Sequence, residues 1–181
     1  GKVSDDVLAE AEDKILPSLA EAASALPFRE DAPFASDWFN GRRSPEPNPS
    51  LRATVSGLGL ATDAAEVYYA IVEATAFGVK AMVDTLVDNG VALDSITAIG
   101  GIAVKSPFIL QFFVDVLGMD IFVPNLTQAC GLGSAINAAV ASGCWPTLID
   151  AQKAMCVTEG VKYTASSARD FSGRYARYRN M

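Results

Sequence analysis

Histidine is missing from this 181-residue sequence. Within these residues, its absence excludes a serine–histidine or cysteine–histidine nucleophile, an imidazole general base and any zinc site that uses histidine. Cysteine is scarce, and Cys130, Cys144 and Cys156 form no C-x-x-C pair. Because this spacing fits neither a zinc knuckle nor a disulfide framework, we expect thiols that are either buried or chemically idle, in a reducing, cytoplasmic setting.

Long apolar runs are also lacking. Lys, Asp or Asn interrupts every hydrophobic stretch before it reaches the roughly 20 residues that a membrane span needs, so no membrane partner is expected. Positive charge is in deficit, with a formal net charge of −7 and a pI near 4.5, which argues against a nucleic-acid partner. The N-terminus lacks the apolar centre of a signal peptide. Because Gly1 stands there without an initiator Met, we expect either a residue left over from cloning or a cut inside a longer chain.

Apolar residues, by contrast, are plentiful. They make up 50% of the sequence against 19% for charged residues, the balance of one folded domain with a core. Apolar positions at steps of three and four predict a helix over residues 4–26, which Pro17 is expected to kink or divide. A proline-rich stretch follows. Within it, residues 37–45 place two aromatic rings before Asn-Gly and paired arginines, and we expect this loop to be packed down.

The longest predicted helix covers residues 63–89. Asp63 and Glu66 have the spacing of a capping box, and Gly90 follows as a stop signal. The middle of the helix is apolar nearly all round, which indicates burial on several sides. Glu73 is the exception in that run. Two interpretations stay open for it, a buried and paired carboxylate or an ordinary residue at the edge of the helix.

The second half of the chain alternates short β-rich runs with helices, which predicts an α/β fold with parallel strands. The predicted strands are residues 95–99 and 120–124, and the predicted helices are 107–118, 129–142, 146–156 and 166–179. Ser106 is the expected N-cap of the first of these helices. The C-terminal region carries four close arginines, interpreted as belonging to a solvated, salt-bridged terminal helix. The four are Arg169, Arg174, Arg177 and Arg179.

Gly100 and Gly101 are the best candidates for a ligand-binding position. They end the first predicted strand, where glycine lets a ligand approach the backbone because no Cβ stands in the way. The helix that opens just afterward directs free N–H groups toward the same crevice, which suits a phosphate. The alternative is a turn that needs glycine only for tight packing.

Gly131 and Gly133 form a second glycine cluster. The third glycine of a dinucleotide-binding fingerprint is misplaced, and no acidic residue follows about 20 positions later. We therefore interpret this alanine- and glycine-rich segment as a helix that packs closely on a sheet or on residues 74–78.

Four segments, residues 37–45, 73–78, 100–103 and 131–136, resemble in their order the carbohydrate kinases of the FGGY family. The resemblance covers nearly the whole chain from Ser4 onward. The glycine segments are shared by all these sugar kinases. The tryptophan–arginine segment 37–45 is more specific, and it is most similar to the members that phosphorylate L-ribulose.

The resemblance implies two actin-like, ribonuclease-H-like domains separated by a cleft, of which this chain resembles the later part of the second. The implied fold is an incomplete, helix-rich α/β domain with a short parallel sheet. Its expected parts are a helical segment and proline-rich loop over residues 1–62, a nucleotide-side core over 63–145 and terminal helices over 146–181. Strand edges left open in such a piece could be covered in a homodimer.

The implied activity is transfer of the γ-phosphoryl group from ATP, with Mg²⁺, to a pentulose hydroxyl, giving L-ribulose 5-phosphate from L-ribulose. By the same resemblance, Gly100 and Gly101 approach the ATP phosphates, and Lys105 or Ser106 falls where relatives often carry an asparagine near the nucleotide. No catalytic or metal-binding residue can be assigned here, so the chain alone is expected to be inactive. Kinases of xylulose or glycerol, and an actin-like assembly or regulatory domain without catalysis, remain alternatives.

Overall fold

The computed structural model describes residues 5–166 and 169–181, and for residues 5–13 and 104–105 it describes the backbone alone. The helices are α1 (Asp5–Ser24), α2 (Ala64–Asp88), α3 (Gly101–Lys105), α4 (Pro107–Leu117), α5 (Ala129–Ala141), α6 (Leu148–Met155) and α7 (Ser172–Arg179). The strands are β1 (Phe34–Ala35), β2 (Val55–Ser56), β3 (Ile96–Thr97), β4 (Ile121–Pro124) and β5 (Gly160–Tyr163). Among the described residues, no helix is both long enough and apolar enough to cross a membrane.

Helix α2 organises the larger of two hydrophobic cores. It begins at Asp63, whose side chain accepts a hydrogen bond from the Glu66 backbone N–H while the Glu66 side chain accepts one from the Asp63 N–H. This capping box satisfies two of the N–H groups that a helix start leaves unpaired. Around the middle of α2 lie mainly aromatic side chains from β1, α4, α7 and their flanking loops. The buried aromatic members are Phe34, Trp38, Tyr69, Phe77, Phe112, Phe171 and Tyr178.

Helix α4 joins this core to a smaller one, because two of its faces are buried. Phe112 and Val116 face the aromatic cluster. Leu110, Val114 and Leu117 face the second core, which also holds Ile121 and Val123 of β4 and Ala103 of α3. A helix that is apolar on both sides must lie between two layers, so α4 fixes where the sheet sits relative to α2.

The sheet whose first strand leads to Gly100 and Gly101 has three strands in the order β3-β4-β5. β3 and β4 are parallel, with Ile96 opposite Ile121, and α3 and α4 lie between them in sequence. β5 pairs with β4 in the antiparallel direction. A separate antiparallel pair, β1 and β2, joins the two ends of the proline-rich stretch, with Phe34 opposite Ser56.

Several sequence predictions are confirmed by this fold. The capped helix over residues 63–89, the parallel strand pair and the helices at 107–118 and 129–142 all form at the predicted positions. Gly90 and Gly118 have positive φ angles of 81° and 66°, as left-handed helix ends require.

Other predictions differ from the structure. α1 runs through Pro17 without dividing, which excludes one of the two effects expected of this proline and leaves the other, a kink, as a prediction. β5 and α3 were not predicted, and the last helix starts at Ser172 rather than at residue 166; the predicted range also includes residues 167–168, which lie outside the described part. β5 is exposed and forms by pairing with the edge of β4. No pattern in its own sequence predicts this contact.

The environments of three groups also differ from expectation. All three cysteines are exposed, which excludes the buried alternative and leaves that of chemically idle thiols. Helix α5 packs against α6 and buries only Ile136, so its small residues are not explained by close packing on a sheet or on residues 74–78. Arg174, expected in a solvated helix, is 2% exposed.

Candidate functional site

The glycine corner follows the end of β3. The Ala98 N–H still donates to the Phe122 carbonyl oxygen at 2.9 Å, which extends the parallel pairing by one residue, and the chain then turns at Gly100 and Gly101. Gly100 has φ 104° and ψ 176°, a conformation that is essentially restricted to glycine. Gly101 begins helix α3. The backbone therefore turns from strand to helix within two residues.

Both glycines face open space. A Cβ placed on Gly100 or on Gly101 would meet no heavy atom of the described residues within 4 Å. Two apolar side chains flank the corner and are themselves solvent-exposed, Ile99 at 58% and Ile102 at 66%. Internal packing therefore does not require glycine here; the positive φ of Gly100 does so for that residue, whereas Gly101 has no such conformational requirement.

Ser106 stands at the joint between α3 and α4. Its backbone N–H donates to the Ile102 carbonyl oxygen at 3.1 Å, its carbonyl accepts from the Leu110 N–H at 3.2 Å, and its side chain makes no capping hydrogen bond. Ser106 is thus the N-cap residue of α4 and Pro107 its first residue, as predicted, but the Ser106 hydroxyl does not make the capping hydrogen bond. Lys105 belongs to α3 by its backbone, and its side chain lies outside the described residues.

The corner supplies backbone groups rather than charge. Among the side chains that the structure describes, no group of three or more Asp, Glu, Cys or His residues is arranged to hold a metal ion. Phosphoryl transfer needs cationic neutralisation as well as positioning.

A concave site lies around the tryptophan–arginine loop. Trp38 is 6% exposed, and its indole N–H donates to the Tyr178 hydroxyl at 3.2 Å, which confirms that the loop is packed down. The Tyr178 hydroxyl in turn donates to Asp37 Oδ1 at 2.8 Å. This short hydrogen-bond chain ties the loop to the last helix, about 140 positions later in the chain.

Gly78 of α2 makes this arrangement sterically feasible. A Cβ at Gly78 would lie 2.9 Å from Asp37 Oδ2 and 3.3 Å from the Tyr178 hydroxyl oxygen. Burial, followed by the neighbouring Asp37 carboxylate, raises the pKa of the Tyr178 phenol, which therefore stays protonated and donating. The loop, α2 and α7 thus meet at one buried polar point.

The loop and α2 enclose a cleft of about 470 Å³. Its wall combines the loop residues from Asp37 to Ser44 with side chains on one face of α2 and with Tyr178. The α2 residues are Thr75, Gly78, Val79 and Met82. This volume lies in the range that small-molecule sites occupy, about 300–1,000 Å³.

Glu73 and Arg174 form a buried ion pair beneath the loop. Arg174 Nε donates to Glu73 Oε1 at 2.7 Å and Nη2 donates to Oε2 at 2.5 Å, which resolves the two interpretations of Glu73 in favour of a buried, paired carboxylate. Burial raises the pKa of the Glu73 carboxyl, and the guanidinium opposes that rise. The remaining N–H groups of Arg174 donate to backbone carbonyls between Arg29 and Pro33.

Of the predicted site residues, Gly100 precedes α3, Gly101 begins it and Ser106 follows its last residue, so the three border the short helix between β3 and α4. Sequence reasoning missed the roles of Asp37, Gly78 and Tyr178, which meet only in the folded chain. The one available signal was Gly78, a glycine inside a strong helix pattern, which often marks a close approach.

Comparison with known proteins places these features in context. Residues 3–142 match the sequence model of the FGGY family of carbohydrate kinases, C-terminal domain. A ribulokinase of Vibrio parahaemolyticus is 40% identical over 170 residues, which are 93% of this chain and 30% of that protein. A ribulokinase of Bacillus licheniformis is 42% identical over 125 residues, 69% of this chain and 23% of that protein.

Solved structures share the fold. A xylulose kinase from Rhodospirillum rubrum superposes with a TM-score of 0.73 at 23% identity, over 96% of this chain and 34% of its own. A Plasmodium falciparum glycerol kinase with ADP superposes with a TM-score of 0.71 at 18% identity, over 97% and 35% respectively. The sequence in hand thus spans about a third or less of the proteins it matches.

Proposed function

Because this chain belongs to the FGGY family of carbohydrate kinases, we propose that the protein it forms part of is an ATP-dependent ribulokinase. The reaction transfers the γ-phosphoryl group of ATP to a hydroxyl of L-ribulose, which loses its proton, and yields ADP and L-ribulose 5-phosphate. The observation that carries this proposal is the 40% identity to a ribulokinase across 93% of the chain. The alternatives are xylulose or glycerol as the accepting substrate.

In this proposal the described chain contributes to the nucleotide side. The backbone at Gly100 and Gly101 would receive the ATP phosphates, and the open space around both glycines supports this role. The Ser106 hydroxyl, which caps no helix, is free to contact the nucleotide. Mg²⁺ would arrive with ATP, held by the phosphates and by residues elsewhere in the protein.

The proposal assigns no proton-accepting base to these 181 residues. Positioning of phosphates alone leaves the sugar hydroxyl protonated and the developing charge uncompensated. We therefore expect the isolated chain to bind nucleotide weakly and to turn over no sugar.

The test is a substrate panel on the full-length protein. ADP release is followed with L-ribulose, D-xylulose and glycerol at matched concentrations, and L-ribulose is expected to give the highest kcat/KM. A higher value for D-xylulose or glycerol would replace the sugar assignment. Absence of ADP release with all three would overturn the kinase proposal, and turnover by residues 1–181 alone would overturn the inference that the base lies elsewhere.

A further inference from the structure

We propose that the cleft beside the tryptophan–arginine loop is a second ligand site, which binds a small phosphorylated sugar. The cleft wall contains none of Gly100, Gly101 and Ser106, so it is distinct from the glycine corner. The choice of a sugar phosphate rests on the proposed function, because that reaction produces one.

The loop is held in place before any ligand arrives. Arg42 and Asn48 exchange two backbone hydrogen bonds, at 3.0 Å and 2.8 Å, and Gly41 has φ 76°. A Cβ at Gly41 would lie 2.7 Å from Pro49 Cα, so the two arms of the loop touch at this point. A site whose backbone is already ordered loses little conformational entropy on binding.

The charges on the cleft wall suit an anion. Arg42 and Arg43 both contribute to the wall, in a chain whose formal net charge is −7. Arg42 lies 5.3 Å from the centre of the Trp38 ring and is bonded to Glu46 at 3.1 Å. Arg43 is exposed and has no hydrogen-bond or ion-pair partner in the described part of the chain. Arg43 is therefore the cation available to a phosphate group.

Other wall groups suit hydroxyls and a carbon skeleton. The side chains of Asn40 and Ser44 line the cleft without hydrogen-bond partners among the described residues. Asp37 keeps Oδ2 on the side of Gly78, where a carboxylate oxygen can accept a hydrogen bond from a sugar hydroxyl. Val79 and the exposed ring of Phe39 add apolar surface. The Asp37 carboxylate lies on the same wall as Arg42 and Arg43. It would repel a ligand that carries negative charge along its whole length, and it is compatible with one whose negative charge is at one end.

The experiment uses the fluorescence of Trp38 in the full-length protein. The tryptophans of this chain are Trp38 and Trp145, so Trp145→Phe, with any others in the remaining protein also replaced, leaves Trp38 as the reporter. L-Ribulose 5-phosphate is titrated with L-ribulose and a non-hydrolysable ATP analogue present at saturation, which keeps the active site occupied. A saturable change in Trp38 emission is expected.

Two matched variants separate the cleft from general charge effects. Arg43→Gln is expected to raise the dissociation constant at least about tenfold, as loss of a charge-assisted phosphate contact would. Lys153→Gln removes one positive charge from exposed helix α6, outside the cleft, and is expected to leave binding unchanged.

Three outcomes would overturn the inference: no saturable change at Trp38, equal binding by Arg43→Gln and the parent, or equal binding of inorganic phosphate and the sugar phosphate. If ADP release from L-ribulose persists in any of these cases, the proposed function stands and only the second site fails. If the protein releases no ADP with any sugar of the panel, the proposed function fails regardless of the titration.

Discussion

Arg174 on the last helix and Glu73 in the middle of α2, 101 positions apart, form a two-point ion pair with both side chains almost fully buried. The same guanidinium donates to the carbonyl oxygens of Glu30, Ala32 and Pro33. One side chain thus joins the C-terminal helix, the central helix and the loop that leads into β1. Buried charges are tolerated when every donor and acceptor has a partner, as here.

Replacing Arg174 by an uncharged residue should therefore strongly destabilise the fold. Arg174→Met keeps most of the side-chain volume, but it leaves the buried Glu73 carboxylate and several backbone carbonyls without a hydrogen-bond donor. The free energy of unfolding should therefore fall by about 3–5 kcal/mol. Urea unfolding measures it. Lys153→Met on α6 is the control, since Lys153 is exposed and its loss should cost less than about 1 kcal/mol. Equal losses in the two variants would contradict a structural role for the pair.

The two glycines of the corner should respond differently to substitution. Gly101→Val places a branched side chain into open space, so in the full-length protein ATP affinity should fall about tenfold, ~1.4 kcal/mol, while the urea midpoint stays unchanged. Gly100→Ala should destabilise the fold by about 1–3 kcal/mol, because φ 104° strains any side chain. Titrations with nucleotide and with sugar measure the affinities of the Gly101→Val protein, and urea unfolding measures the stability of both variants. A parallel loss of sugar affinity in Gly101→Val would indicate that the fold is disturbed.

Gly78→Ala tests the contact between α2 and the tryptophan–arginine loop. Alanine favours a helix over glycine by about 1 kcal/mol, but its methyl group would stand 2.9 Å from Asp37 Oδ2. We expect net destabilisation of about 1–3 kcal/mol from overpacking, with a shift in Trp38 emission as the loop moves. Gly133→Ala, in another helix with open space around it, is the control and should be neutral or stabilising. A stabilised Gly78→Ala protein with unchanged emission would refute the contact.

Alkaline pH should destabilise the folded protein, because three of its tyrosines have pKa values above that of a tyrosine in the unfolded chain. Burial, reinforced by the charge of Glu73, raises the pKa of Tyr69 to about 12, and burial with nearby carboxylates raises the pKa of Tyr175 and of Tyr178. The folded chain thus holds protons that the unfolded chain releases near pH 10. Stability is full below that value and falls as pH rises through the folded pKa.

The urea midpoint is therefore expected to decline above about pH 10, the ordinary pKa of tyrosine. Tyr178→Phe removes one of the raised groups and should make the decline shallower. Its stability near neutral pH should also drop, since the buried Trp38 N–H loses its acceptor at a cost of about 1–3 kcal/mol. A pH profile that is identical in the two proteins would contradict the assigned role of Tyr178.

The sequence predicted the parts of the site that depend on neighbours in the chain. Gly100 and Gly101 were found because a short β-rich run, two glycines and a helix start follow one another within a few residues. By contrast, β5 and α3 were missed, because one forms only against the edge of β4 and the other is a single short turn.

What the sequence alone determined is local: the capped ends of α2, the glycine stop of α4 and the alternation of strand and helix, all set by hydrogen bonds between residues a few positions apart. Only the tertiary structure decided that Arg174 is buried against Glu73, that Tyr178 bonds Asp37, and that the tryptophan–arginine loop forms one wall of a cleft. The first two of these contacts join residues 101 and 141 positions apart. Their energies depend on burial and geometry, which exist only once the helices have packed.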